Sequence, residues 1–136
     1  MNISTIIEQA VTEWLKAPET PTAQDICSGW CCDFADPIYF AYRDKGVEIM
    51  ALDSVEDAVA FCIDSPAVLE ALRVGFLSHT FLRYVGKYYD AETPEGVSHP
   101  LLLPTYSRAL VEGHEAGFID RGLFDQSQAY VRMIGS

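Results

Sequence analysis

Basic residues are scarce in this chain. Nine Lys and Arg stand against twenty Asp and Glu in 136 residues, a formal net charge of −11. The nine are scattered singly, so no basic stripe is available to neutralise phosphates. Direct binding to nucleic acid or to an anionic lipid surface is therefore disfavoured. The same balance suits a protein partner with a basic surface, mimicry of nucleic acid, or simply solubility.

Long apolar runs are also missing. The longest are short and interrupted, far below the roughly 20 residues that a membrane helix requires. Residues 1–17 contain Glu8 and Glu13 and lack a basic start, which argues against a signal peptide. The sequence predicts a soluble, cytoplasmic protein. Cysteine is too sparse for a stapled mini-protein in a chain this long, with only Cys27, Cys31, Cys32 and Cys62. Cys27 and Cys31 have a tolerable spacing for a metal, but no second Cys/His pair lies at a finger-like distance, because His99 and His114 are isolated. No structural zinc and no cofactor are expected. Repeats, low-complexity tracts and linkers are absent, so a single domain over 1–136 is predicted.

Apolar residues make up 49 % of the chain and aromatic residues 12 %. That is enough for a real core and incompatible with intrinsic disorder. Ile3, Ile6, Ile7, Ala10, Val11, Trp14 and Leu15 recur at helical spacing, and Pro18 ends the run, which predicts a helix over 3–17. Residues 18–29 read as a loop. Phe34, Ile38, Ala41 and Tyr42 mark a buried helix from Trp30 to about Asp44. Pro37 should kink or restart it, with Asp36 bent away from regular geometry, and Gly46 should end it.

Glu48 to Leu52 reads as a strand. Asp53 or Ser54 caps a short helix to about Phe61, and Ser65-Pro66 starts another to about Arg73. Phe76–Tyr84 and Lys87–Ala91 form a hairpin, and Thr93-Pro94-Glu95-Gly96 a turn. Leu101–Leu103 is a last short strand or an apolar loop anchor. Tyr106–Ala116 and Phe124–Met133 are short helices. Helices before and after a small antiparallel sheet make the fold class α+β.

The segment Gly29-Trp30-Cys31-Cys32-Asp33-Phe34-Ala35 carries the most chemistry. A cysteine just after a glycine, opening a helix, stands where the helix N-terminus stabilises a thiolate. His79 and Asp90 follow on the hairpin. With Val85-Gly86 at the centre of the turn, Tyr84 faces Lys87, Phe81 faces Asp90 and His79 faces Glu92. Directly opposed residues share a face of the sheet, as do residues two apart on one strand. His79, Asp90 and Glu92 are thus predicted on one face, and a one-residue change in turn length would put both carboxylates on the other. Cys, His and Asp are the parts of a thiol nucleophile, a general base and the group that orients the base. Asp90 is diagonal to His79 and has the shorter side chain, and Glu92 is the fallback orienting acid. His99, His114, Cys27 and Cys62 read as solvated or structural.

The Gly-x-Cys-x-x-Phe-Ala segment, together with His79-x-Phe-x-x-Tyr-x-Gly-Lys-Tyr-Tyr-Asp-Ala-Glu-x-Pro-Glu-Gly-Val, resembles small papain-like cysteine hydrolases of the transglutaminase-like and NlpC/P60-like kind. The resemblance spans roughly residues 22–97. It implies a papain-like fold with N-terminal helices packed on a small antiparallel sheet, and a phage or mobile-element setting. It places Cys31 as nucleophile, His79 as base and Asp90 as orienting acid, with the adjacent Cys32 leaving the reactive thiol open between the two. Gln24, seven residues before Cys31, resembles the glutamine that papain-like enzymes use in their oxyanion hole, at a spacing one residue longer than usual. The expected activity is hydrolysis or acyl transfer at an amide, ester or thioester, on a protein or peptide. The competing expectation is a non-enzymatic acidic protein that blocks a host defence or nucleic-acid-binding complex.

Overall fold

A computed structural model describes all residues, 1–136. The first helix, α1 (Ile3–Trp14), is capped by Asn2, whose side-chain oxygen accepts from the Thr5 N–H at 3.1 Å. It ends a turn earlier than the 3–17 expectation, where the Thr20 hydroxyl caps the Trp14 carbonyl at 2.8 Å. Residues 18–29 are not a loop throughout. They contain α2 (Ala23–Gly29), started by a reciprocal capping box between Thr22 and Asp25. The Thr-x-x-Asp spacing is a start signal that apolar periodicity alone overlooks in so short a helix.

Helix α3 (Cys31–Tyr42) follows with only Trp30 between. It passes through Pro37 without restarting. Pro37 and Asp33 are both exposed, so the carbonyl deprived of its helical donor can meet water. A 3-10 turn (Arg43–Lys45) leads to Gly46 in left-handed backbone. Then come β1 (Glu48–Ala51), α4 (Val55–Ala60) capped by Ser54, and α5 (Pro66–Arg73) capped by Ser65. The hairpin is β2 (Thr80–Tyr84) and β3 (Lys87–Asp90).

Around the turn the predicted pairing is observed, with Leu82 facing Tyr89, Arg83 facing Tyr88 and Tyr84 facing Lys87. The expected pairs of Phe81 with Asp90 and His79 with Glu92 are not part of the ladder, because β2 begins only at Thr80 and β3 ends at Asp90, where its pairing with β4 is irregular. Val85 and Gly86 both have positive φ, 49° and 73°, the handedness that matches the twist of a two-residue hairpin. Thr93-Pro94-Glu95-Gly96, expected as a turn, instead belongs to the edge strand β4 (Thr93–Val97). An edge position tolerates Pro94, which has no N–H to contribute. Gly96 has φ +79°, and a Cβ there would lie 2.6 Å from the Tyr89 ring. Pro100–Leu102 is a 3-10 turn in which Leu101 is fully buried, as is the following Leu103, an apolar anchor and not a strand. Helices α6 (Pro104–Glu115) and α7 (Arg121–Ile134) complete an α+β fold of seven helices and four antiparallel strands in order β1-β2-β3-β4.

Side chains that alternate along β2 enter different cores. Leu82 packs with Ile3, Ile7, Ile26, Phe34 and Ile38 from α1–α3, whereas Phe81 packs with Leu72, Leu101, Tyr106 and Leu110 from the later helices. The sheet is therefore covered on both faces, with the N-terminal helices on one of them. No helix is long and apolar enough to cross a membrane.

Candidate functional site

His79 is held before its ring does anything. It precedes β2, and both of its main-chain groups are fixed: the N–H donates to Asp53 Oδ1 at 2.9 Å, and the carbonyl accepts from Leu52 N–H at 3.2 Å and from the Tyr106 hydroxyl at 3.2 Å. Tyr106 is completely buried and meets the imidazole edge-on, with ring centroids 5.8 Å apart. His79 as a whole is 1 % exposed, and its Nε2 lies 2.9 Å from Asp90 Oδ2. Asp90 Oδ1 accepts the Glu92 N–H at 3.0 Å, which fixes the carboxylate. Glu92 is turned away from the imidazole and forms a two-bond pair with Arg108 at 2.6 and 2.7 Å. Asp90, and not the fallback Glu92, is the acid that touches His79.

Cys31 opens α3 and is partly exposed. Trp30, the residue before it, provides no side-chain cap. The first-turn N–H groups therefore have no side-chain acceptor from the cap position, and the positive end of the helix lies at Cys31. The imidazole beside Cys31 lowers its pKa to about 7, overcoming the opposing effect of burial, with smaller help from the Thr80 N–H and from Cys32. Burial alone would keep His79 neutral. The hydrogen-bonded Asp90 carboxylate, with the nearby thiols of Cys27 and Cys31, outweighs it and pushes the imidazole up to about 11. His79 Nδ1 has no regular hydrogen-bond partner and remains the ring nitrogen free to work on a thiol.

The remaining candidates are placed differently. Cys32 is exposed, and its thiol donates to the Thr80 hydroxyl at 3.2 Å. Gln24 is exposed at the second position of α2. Trp30 is 42 % exposed and lies tilted against Trp14, while Tyr88 packs edge-on with Phe61 and Phe81 at the core. His99 and His114, read as solvated, are half-buried: the first caps Leu101 and the second stacks on Phe124 at 4.5 Å. Cys62 is exposed.

No family model, no curated protein and no solved structure matches this chain. Its chemistry must be read from its own residues. Cys31, His79, Asp90, Cys27, Ile26 and Phe34 are among the residues lining one apolar enclosure that leaves no room for a water molecule. Such exclusion strengthens every charge interaction inside it.

Residue-by-residue reading misses Asp53, Tyr106, Thr80, Arg108 and Cys27. The first four act through main-chain contacts or distant ion pairs that leave no pattern in sequence. Cys27 carries a weak signal, four positions before Cys31, and its role depends on a hairpin far along the chain.

Proposed function

We infer that the chain is a thiol-dependent hydrolase or acyl transferase of the papain-like type. The observation that carries this reading is the buried 2.9 Å bond between His79 Nε2 and Asp90, with the other ring nitrogen left free beside a thiol at a helix N-terminus. Cys31 sulfur attacks the carbonyl carbon of an amide, ester or thioester, and the carbonyl electrons move to oxygen. Free N–H groups of the first turn of α3 stabilise that oxyanion. The protonated His79 gives its Nδ1 proton to the departing group, which leaves with the electrons of the broken bond. Water or another acceptor then attacks the acyl-enzyme, His79 takes its proton, and Cys31 is released. Asp90 holds the imidazole in position and does not itself change protonation.

The enclosure beneath Cys31 is too tight for a substrate side chain, so the scissile carbonyl meets the thiol at the protein surface. That favours a flexible, exposed segment of a protein or peptide as substrate. The setting is the cytoplasm of the producing cell, in a phage or mobile-element context. Limited iodoacetamide should alkylate Cys31 before the other three thiols, and His79→Ala should remove that preference. Uniform labelling, or labelling of Cys32 first, overturns the assignment.

The net charge of −11 favours a second reading, an acidic protein that occupies a basic surface on its partner without chemistry. The two readings differ in whether Cys31 is needed for the biological effect.

A further inference from the structure

Cys27 is the one buried thiol that the proposed mechanism does not use. It is 5 % exposed, and it stands with His79 and Asp90 so that one ligand atom from each lies within 4.8 Å of the others. Judged along the sequence, Cys27 and Cys31 lack a second pair of metal ligands. The hairpin supplies that pair, because the fold brings His79 and Asp90 against the middle of α2.

We propose that Cys27, His79 and Asp90 form a binding site for one zinc ion, which replaces the proton between His79 Nε2 and Asp90 Oδ2. Thiolate, imidazole and carboxylate together suit a borderline-soft cation, whereas Mg²⁺ and Ca²⁺ require shells built from oxygen. Tetrahedral zinc bonds of roughly 2.0–2.3 Å set ligand atoms about 3.3–3.7 Å apart. The Nε2–Oδ2 separation of 2.9 Å then opens by a few tenths of an ångström, and the thiol closes in by side-chain rotation.

Charge selects a divalent ion. The enclosure has no room for water, so an uncompensated charge inside it is costly. Cys27 as thiolate and Asp90 as carboxylate supply two negative charges against the two positive charges of zinc. Binding releases the Cys27 thiol proton and the proton shared by His79 and Asp90. Asp90 stays oriented by the Glu92 N–H, and Glu92 in turn by Arg108, the kind of outer support that ligating carboxylates need. Cys27 alone of the three ligands also stands on the wall of a groove of about 340 Å³, beside Ser28, Ser78, Thr105 and Arg108, so a water completing the tetrahedron would enter from the Cys27 side.

The site itself stands apart from the hydrolase reading; its consequence for Cys31 rests on it. With zinc on Nε2 the neutral imidazole carries its proton on Nδ1, so it cannot accept one from Cys31. Zinc is then a reversible off-switch for the thiol.

The test is equilibrium dialysis of the full chain against micromolar zinc, followed by metal analysis. One zinc per chain is expected in the unmutated protein and in a triple variant, Cys31→Ser, Cys32→Ser and Cys62→Ser, which keeps Cys27 as its only thiol. Loss is expected in Cys27→Ser. Should that variant fail to fold, cobalt added to the triple variant decides: a thiolate-to-cobalt charge-transfer band supports the site, and its absence overturns it. Zinc should also slow Cys31 alkylation at least tenfold, with recovery on adding a chelator. Three results overturn the proposal: no bound zinc, zinc kept by Cys27→Ser but lost by the triple variant, or unchanged alkylation with zinc bound. If Cys31 is not labelled selectively in zinc-free protein, the hydrolase reading fails while the zinc stoichiometry still decides the site.

Discussion

Glu92 and Arg108 are joined by two bonds of 2.6 and 2.7 Å, and this pair steadies the chain just after Asp90. The arrangement divides labour between the two carboxylates that the sequence places on one face, with Asp90 preferred and Glu92 as the fallback. Glu92 contributes its N–H to Asp90 Oδ1 and gives its charge to Arg108, while Asp90 gives its charge to His79.

Glu92→Gln and Asp90→Asn should therefore differ sharply. The first keeps the main-chain N–H and loses a partly exposed ion pair, a change of up to about 1 kcal/mol with little effect on Cys31 labelling. The second removes the charge that orients the imidazole and should slow labelling at pH 7 by at least tenfold. Alkylation rates of the two variants, with urea unfolding as the control, test this. Equal rates in both would exclude Asp90 as the orienting acid.

The pH dependence of labelling follows from the thiol and its base. Cys31 has its pKa lowered to about 7, so thiolate is the main form above pH 7 and falls about tenfold for each unit below it. In His79→Ala the largest lowering cause is gone, and the midpoint should move up toward the ordinary value near 8.5. At pH 6 the variant should react more than tenfold more slowly than the unmutated protein. A midpoint unmoved by the substitution would mean that His79 does not govern the thiol.

Much of the site is legible in the sequence because it depends on local rules. The hairpin register follows from where a two-residue turn sits, and the position of Cys31 follows from a helix start. What could not be read has a common physical cause. Helix α2 has too few residues for an apolar period to show, and its capping box is its clearest sign. Strand β4 contains a proline and a glycine, which mark turns by propensity, and only an edge position makes them compatible with a strand. Cys27 looks structural until the hairpin folds against it. Asp53 and Tyr106 bind main-chain atoms of His79, and no side-chain pattern announces such contacts.

Tyr106→Phe tests how far the main-chain anchoring of His79 matters. The hydroxyl donates to the carbonyls of Leu52, at 3.0 Å, and His79 in a fully buried setting. Its loss removes a donor from two buried acceptors, and should lower stability by about 1–3 kcal/mol in urea unfolding. The His79 carbonyl still accepts from Leu52, so the strand should survive and labelling of Cys31 should slow without disappearing. A variant as stable and as reactive as the parent would show that the hydroxyl does not hold the base.

Enzyme and acidic binder are separated by the cellular effect of two variants. Members of a catalytic set act as a unit, so Cys31→Ser should abolish nearly all chemistry, and adding His79→Ala should cost little more. The serine is almost the same shape and carries no charge, which leaves any electrostatic surface intact. A charge-driven complex responds instead to neutralising several exposed Asp and Glu, and weakens steeply with salt because exposed charges are screened beyond about 8 Å at physiological ionic strength. The expected outcome is loss of effect in Cys31→Ser and retention in the charge-neutralised protein. Full effect from Cys31→Ser, with loss on neutralisation, would sink the hydrolase reading and leave the binder standing. The first outcome is favoured by the site itself: a binder that works by charge has no need for an imidazole buried against Asp90 with its other nitrogen turned free beside a thiol.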